Sequence, residues 1–220
     1  MTDWISLAAA AATAAETYAE AARKAAAAKV APTGKVDSRL LEAEQKLVHG
    51  FAWIGTTAAA LSATAQWAAK SKDGGRYGRI EELTVQIGFG EYLQQLLNGV
   101  PMSQNETARP QELGLLDAAA ALAADPAVKT FVEGGNTAAN RLELVGFLRE
   151  GAVPDESLDD ETLDMVRSQF RAFVAARIAP NAHGWHLADV LIPDEIIREM
   201  ADLGVFGVCI EDEFGGLGLG

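Results

Sequence analysis

Apolar positions along the first two-thirds of the chain recur every three or four residues, while alternating β-branched runs are nearly absent, so the pattern predicts an all-α fold. A first helix is expected from about Asp3 to Lys29, stopped by Pro32, Thr33 and Gly34, which each disfavour its continuation. A second, long helix is expected from Ser38. Its Leu40, Leu47, Phe51, Ile54 and Leu61 form one stripe at helical spacing. Asp73, Gly74 and Gly75 signal its end, and Ile80 to Asn98 repeats the pattern through Leu83, Ile87, Leu93 and Leu97 until Gly99 and Pro101.

Ser103 and Glu106 have the spacing of a capping box, with Pro110 limiting any helix there. Further helices are expected over Gln111 to Ala124, over Pro126 to Glu133 with Asp125 as cap, and over Thr137 to Glu150 with Asn136 as cap. The stretch Gly151 to Asp160 is rich in Gly, Pro and carboxylates and poor in core-forming residues, so it reads as an exposed linker. The organisation is then a helical extension over 1–150, a linker over 151–160 and a second unit over 161–220. In that second unit Glu161 to Ile178 is an amphipathic helix carrying Leu163, Val166, Phe170, Phe173 and Val174 on one face, with Pro180 just past its end and Phe170 as core anchor. A short helix is expected from Pro193 at its first position to just before Gly204.

At 220 residues and 49% apolar content the chain holds enough material for one sizeable domain or two small ones, so disorder throughout is excluded. With 18 basic against 31 acidic residues and no cluster of Lys or Arg, it offers no surface for nucleic acid. Cys209, standing alone, excludes an internal disulfide framework and a multi-cysteine metal site, which fits a reducing compartment. The Ala-rich start has Asp3 where a leader peptide needs positive charge. Glu16, Glu20, Arg23 and Lys24 then interrupt the run well short of a membrane span, so a soluble cytoplasmic protein is expected, with no membrane partner.

The most distinctive text runs from Val205 to Gly220. Gly216, Gly218 and Gly220 suggest a phosphate loop, but their spacing is wrong for a dinucleotide fingerprint, and Glu211, Asp212 and Glu213 directly upstream would repel a pyrophosphate. A tight turn with close backbone approach is the better reading. His183 and His186 lack an evident third ligand, so no metal is expected. His49 lies beside the Leu47–Phe51 stripe and reads as packing, and Cys209 after its apolar run reads as a buried structural thiol.

Taken as one unit, Met165 to Gly220 resembles the N-terminal helical domain of acyl-CoA dehydrogenases. The likeness rests on the amphipathic helix ending in Ala179-Pro180, on Ile192-Pro193, on Leu203-Gly204, and on Gly207 followed by Glu213-Phe214-Gly215-Gly216-Leu217-Gly218. Pro193, Gly204, Gly207, Glu213, Phe214, Gly215, Gly216 and Gly218 are thus carried as family structural positions. Ile210-Glu211-Asp212-Glu213 stands where the family usually has proline-glutamate. The preceding residues are an extension that ordinary members lack, and Gln86-Ile87-Gly88-Phe89-Gly90-Glu91-Tyr92-Leu93 and Pro101-Met102-Ser103-Gln104-Asn105-Glu106 narrow the resemblance to members carrying it.

The resemblance implies FAD-dependent α,β-oxidation of an acyl-CoA thioester. A glutamate removes the α-proton, the β-hydrogen leaves as hydride to the flavin, and an electron-transfer flavoprotein takes the electrons from a homo-oligomeric enzyme. It also implies that the β-domain, the flavin site and the catalytic glutamate follow Gly220, so no catalytic or cofactor-binding residue is assigned before it and these 220 residues alone are expected to be inactive. Two other readings remain open, a non-catalytic helical module for assembly or docking and a flavin monooxygenase of the same architecture.

Overall fold

The structure, a computed structural model, describes residues 2–219 and divides into two compact units, Met1–Asp155 and Glu156–Gly220. Elements in the first are α1 (Trp4–Val30), α2 (Ser38–Ala43), α3 (Gln45–Asp73), α4 (Arg79–Asn98), β1 (Val100–Pro101), β2 (Thr107–Ala108), α5 (Leu116–Ala124), α6 (Pro126–Gly134) and α7 (Ala138–Arg149). In the second they are α8 (Glu161–Phe173), α9 (Ala179–Leu187) and α10 (Asp194–Asp202). Helix therefore dominates both units, as the periodicity predicts.

In the first unit α1 and α3 make the principal contact, through small side chains. Ala8, Ala11, Ala12, Ala15, Ala22 and Ala26 are buried from α1, facing Ala58, Ala65 and Ala68 of α3 among Ile54 and Leu61. Small residues let two helices approach closely, so the high alanine content serves packing as well as helix propensity. Phe131 of α6 is fully buried where α1, α4 and α6 converge, stacked on Phe89 at 4.8 Å between ring centroids and tilted against Trp4 at 5.2 Å. Tyr18 is buried in the same core, and loss of hydration pushes its phenol up to about 12.

Several local expectations change. The long helix from Ser38 is interrupted at Glu44 (φ −111°), because α2 buries no residue and Leu40 lies exposed outside the packed stripe. Ser103 and Glu106 form no capping box. Gly99 (φ 130°) ends α4, Val100 pairs with Ala108 and both are buried, so Ser103 and Glu106 fall at the tip of a hairpin, where the Ser103 N–H donates to the Glu106 carbonyl at 3.2 Å. The helix expected from Gln111 starts at Leu116, because the chain first turns through Gly114 at φ 70°. Thr137, not Asn136, caps α7, its Oγ1 accepting from Asn140 N–H at 3.1 Å, while Asn136 Nδ2 donates to Glu91.

The motif Gln86 to Leu93 acquires a packing role. Phe89 and Leu93 are fully buried, and Gln86 Oε1 accepts from Asn140 Nδ2 at 2.9 Å. A Cβ on Gly90 would stand 2.5 Å from the Asn136 backbone nitrogen, and Gly135 abuts the Gln86 carbonyl and Gly90 Cα. These two glycines let α4 meet the α6–α7 turn backbone to backbone.

His49 is half-exposed rather than packed, and Nε2 accepts from Trp53 Nε1 at 2.9 Å. A polar tip on the solvent edge of α3 finds a better partner in the next turn's indole than in an alanine-lined core.

Candidate functional site: the glycine turn and apolar face of the second unit

Asp160 caps α8, its side chain accepting from Leu163 N–H at 3.0 Å. Two arginines on that helix are paired locally, Arg167 with Asp164 at 2.7 Å and Arg171 with both oxygens of Glu156 at 2.6 and 2.8 Å. Pro180 does not end the helix. Residues Val174–Ile178 form a π-turn in which Ala179 N–H donates to the Val174 carbonyl, and α9 then continues with proline in its first turn. A proline inside a helix lacks a donor and clashes with the preceding turn; widening that turn by one residue removes the conflict.

The π-turn also presents Arg177. Its Nε donates to Glu199 Oε2 at 2.7 Å and its Nη2 to Glu195 Oε1 at 2.8 Å, so two glutamates of α10, one turn apart, converge on one guanidinium. Hydrogen bonding to Arg177 holds the Glu199 carboxyl below the usual carboxylate range. The sequence reading missed this clip. Its signal was the four-residue spacing of Glu195 and Glu199 on a strongly amphipathic helix.

α10 begins after Pro193, which caps the helix rather than occupying its first turn. Ile196 is buried, the sole apolar residue of the second unit that is so among the described residues. Gly204 ends the element in the left-handed region at φ 80°, and Leu217 lies against its Cα. From there the chain folds back on itself. Leu217 N–H donates to the Gly207 carbonyl at 2.8 Å, Gly218 N–H to Ile210 at 2.8 Å and Leu219 N–H to Val208 at 2.9 Å. Gly215 (φ 82°) reverses the direction, and Gly216 passes so close to Ile210 that a Cβ would overlap its carbonyl.

The structure therefore brings Gly204, Gly207, Gly215, Gly216 and Gly218 into one compact turn and leaves Pro193 at the far end of α10. Glu213 and Phe214 are exposed, Phe214 by 74%. Gly220 lies outside the described residues. The Asp212 carboxylate sits beside Gly218, so the turn presents negative charge where a phosphate cradle would present free N–H groups. Substituting Gly216 by Ala is expected to lower the stability of the complete protein by roughly 1–3 kcal/mol, because Ile210 backbone atoms have nowhere to move. Gly207→Ala, whose new methyl would meet the Gly216 Cα at an ordinary 3.6 Å, is the tolerated control. Thermal melts of both variants check the contrast.

Cys209 is exposed, contrary to the expected buried thiol, because the turn curls over Val208 and Ile210 carbonyls and leaves the Cys209 side chain outside. Phe170 is half-buried rather than an enclosed anchor. With Leu158, Leu163, Val166, Val174 and Ala179 it lines an apolar groove of about 570 Å³, edged by Arg167 and Arg171. Leu163, Val166 and Val174 share this face with Phe170 as the periodicity predicts, whereas Phe173 does not line the groove. His183 and His186 are exposed, and no cluster able to hold a metal ion occurs among the described residues.

Residues 160–220 match the model of the acyl-CoA dehydrogenase N-terminal domain. That segment belongs to this family. The chain is also 44% identical over 205 residues to the (2S)-methylsuccinyl-CoA dehydrogenase of Cereibacter sphaeroides, an alignment covering 91% of this chain and 36% of that protein. The chain thus spans little more than a third of its relative's length. The likeness is broader than the family match, since 205 aligned residues must run well into the helical first unit. Among the described residues no helix is long and apolar enough to cross a membrane.

Proposed function

We propose that this chain is the front part of an FAD-dependent acyl-CoA dehydrogenase that oxidises the Cα–Cβ bond of methylsuccinyl-CoA to mesaconyl-CoA. The observation that carries the reading is the 44% identity to a dehydrogenase named for that substrate, across the family segment and the extension together. FAD, an acyl-CoA substrate, an electron-transfer flavoprotein as acceptor, a homo-oligomeric assembly and a cytoplasmic location complete the proposal. The family positions Gly204, Gly207, Glu213, Phe214, Gly215, Gly216 and Gly218 are proposed to shape the turn, and Pro193 to start α10, rather than to react.

FAD does not fit the glycine turn. A flavin diphosphate needs clustered donors, and the glycine turn instead spends its N–H groups on its own carbonyls beside Asp212. Flavin binding and the base are therefore assigned to the remainder of the enzyme, and no chemical step is derived from these side chains. A specific observation supports the assembly reading alongside: the second unit leaves Leu187, Leu191, Phe206 and Phe214 as well as the α8 groove exposed, apolar surface that a partner would cover.

The complete protein is expected to be yellow, and anaerobic mixing with methylsuccinyl-CoA to bleach its flavin absorbance. Bleaching by straight-chain acyl-CoA alone would leave the family and overturn the substrate. No bleaching by any acyl-CoA would remove the dehydrogenase reading in favour of a monooxygenase or a scaffold.

A further inference from the structure

We propose that Gly151–Asp155 is a strap, latched by Asp155, that holds the C-terminal half of α7 onto the first unit and lets that helix open without unfolding the bundle. The helix needs such a device. α7 buries none of its residues, and Leu142, Val145 and Leu148 face solvent. Packing an apolar stripe is what ordinarily fixes a helix in place; α7 has only the half-buried Leu144 and Phe147 for this, so polar ties carry more of its attachment.

Its N-terminal half is held by polar ties to α4. Asn140 Nδ2 donates to the buried Gln86 Oε1 at 2.9 Å, and Arg79 grips Glu143 through Nε at 2.8 Å and Nη2 at 2.7 Å. Among the described residues no α7 side chain beyond Glu143 hydrogen-bonds α4, and the chain leaves the helix at Gly151. There the Gly151 N–H donates to the Leu148 carbonyl at 3.1 Å and the Ala152 N–H to Phe147 at 3.0 Å, closing the helix end.

The strap then meets the junction of α3 and α4, and its anchoring converges on one residue. Asp155 N–H donates to Glu81 Oε1 at 2.9 Å, and its carbonyl accepts from Trp67 Nε1 at 3.0 Å. Its carboxylate Oδ2 accepts from Ser71 Oγ at 2.7 Å and Arg76 Nε at 3.1 Å. The niche is nearly dry, with Ser71 1% and Glu81 5% exposed and the Asp155 side chain 9% exposed. Polar groups at such a site interact strongly because water competes poorly. Residues 151–154, by contrast, include no fully buried residue, only the half-buried Ala152 and Pro154, so the strap is anchored chiefly at Asp155. α7 and the strap together form a local unit with few apolar contacts, the kind that opens well below the free energy of global unfolding.

Native-state hydrogen exchange on the complete protein tests the latch. Asp155→Ala removes the charge-assisted bonds from Ser71 and Arg76, and amides from Leu144 to Asp155 should exchange faster by on the order of tenfold to a hundredfold, with α1 and α3 unchanged. Asp155→Asn, which retains an acceptor oxygen, should show a smaller acceleration of the same amides. Trp67→Phe removes the donor to the Asp155 carbonyl while keeping an aromatic ring against the core, and supplies the reading if Asp155→Ala does not fold. Wild-type exchange over α7 in these variants would overturn the proposal, and so would equal acceleration in α1 and α3, which would mean a general loss of stability.

Discussion

Truncating Phe131 to Ala is expected to destabilise the first unit by about 3–5 kcal/mol, the range for emptying a fully buried aromatic site. The ring is fully enclosed and touches Phe89 of α4 and Trp4 of α1, so its removal opens a cavity where three helices meet. At roughly 2–4 °C per kcal/mol for a unit of this size, the midpoint of thermal unfolding should fall by roughly 6–20 °C. Phe131→Leu, which refills much of the volume, should recover part of the loss. Far-ultraviolet circular dichroism melts measure both. A shift below about 1 °C for Phe131→Ala would mean that the convergence of α1, α4 and α6 is not the centre of the core.

The second large effect is expected from a smaller change. Gly135→Ala adds one methyl that would overlap the Gln86 and Phe131 carbonyls and press on the Gly90 Cα at 3.2 Å. All of these are backbone atoms, so no flexible side chain can swing aside. A loss of roughly 1–3 kcal/mol, or more if α4 is forced away from the α6–α7 turn, is expected. The neighbouring Gly134 is the internal control, because a methyl there meets nothing within 4 Å. Gly134→Ala should be neutral or slightly stabilising, as it only restricts the unfolded chain. Equal melting temperatures for the two alanine variants would refute the close approach of α4 to the α6–α7 turn.

The fold was legible largely where local chemistry sets the outcome, although the caps of α7 and α10 fell one residue from the expected positions. Asp3 caps α1 by accepting from Ser6 N–H, Asp125 caps α6 ahead of Pro126, and Gly74 and Gly99 stand just past helix ends. These signals act within four residues, so no partner from elsewhere in the chain is needed to read them. The glycine turn was legible for a related reason. Three carboxylates beside the glycines weigh against phosphate in any conformation, and left-handed positions such as Gly204 and Gly215 favour glycine wherever they occur.

Long-range competition decided the rest. Ser103 and Glu106 have the spacing of a helix cap, yet Val100 and Ala108 gain more by pairing and burying together, which forces the segment between them into a turn. Pro180 reads as a helix stop because a π-turn has no sequence signature of its own. Only the clip from Arg177 to Glu195 and Glu199 shows why the chain continues there. Gly151 to Asp160 reads as an exposed linker because its Gly, Pro and acidic content is high and its apolar content low. The anchoring of Asp155 depends on Trp67, Ser71, Arg76 and Glu81, which lie about 75 to 90 positions upstream. Helical periodicity, caps and turn glycines are written in neighbouring residues and survive without tertiary context. Which stripe is covered, which polar side chain is buried and which spacing is overruled depend on surfaces that only the folded chain brings together, and there burial and desolvation outweigh local preference.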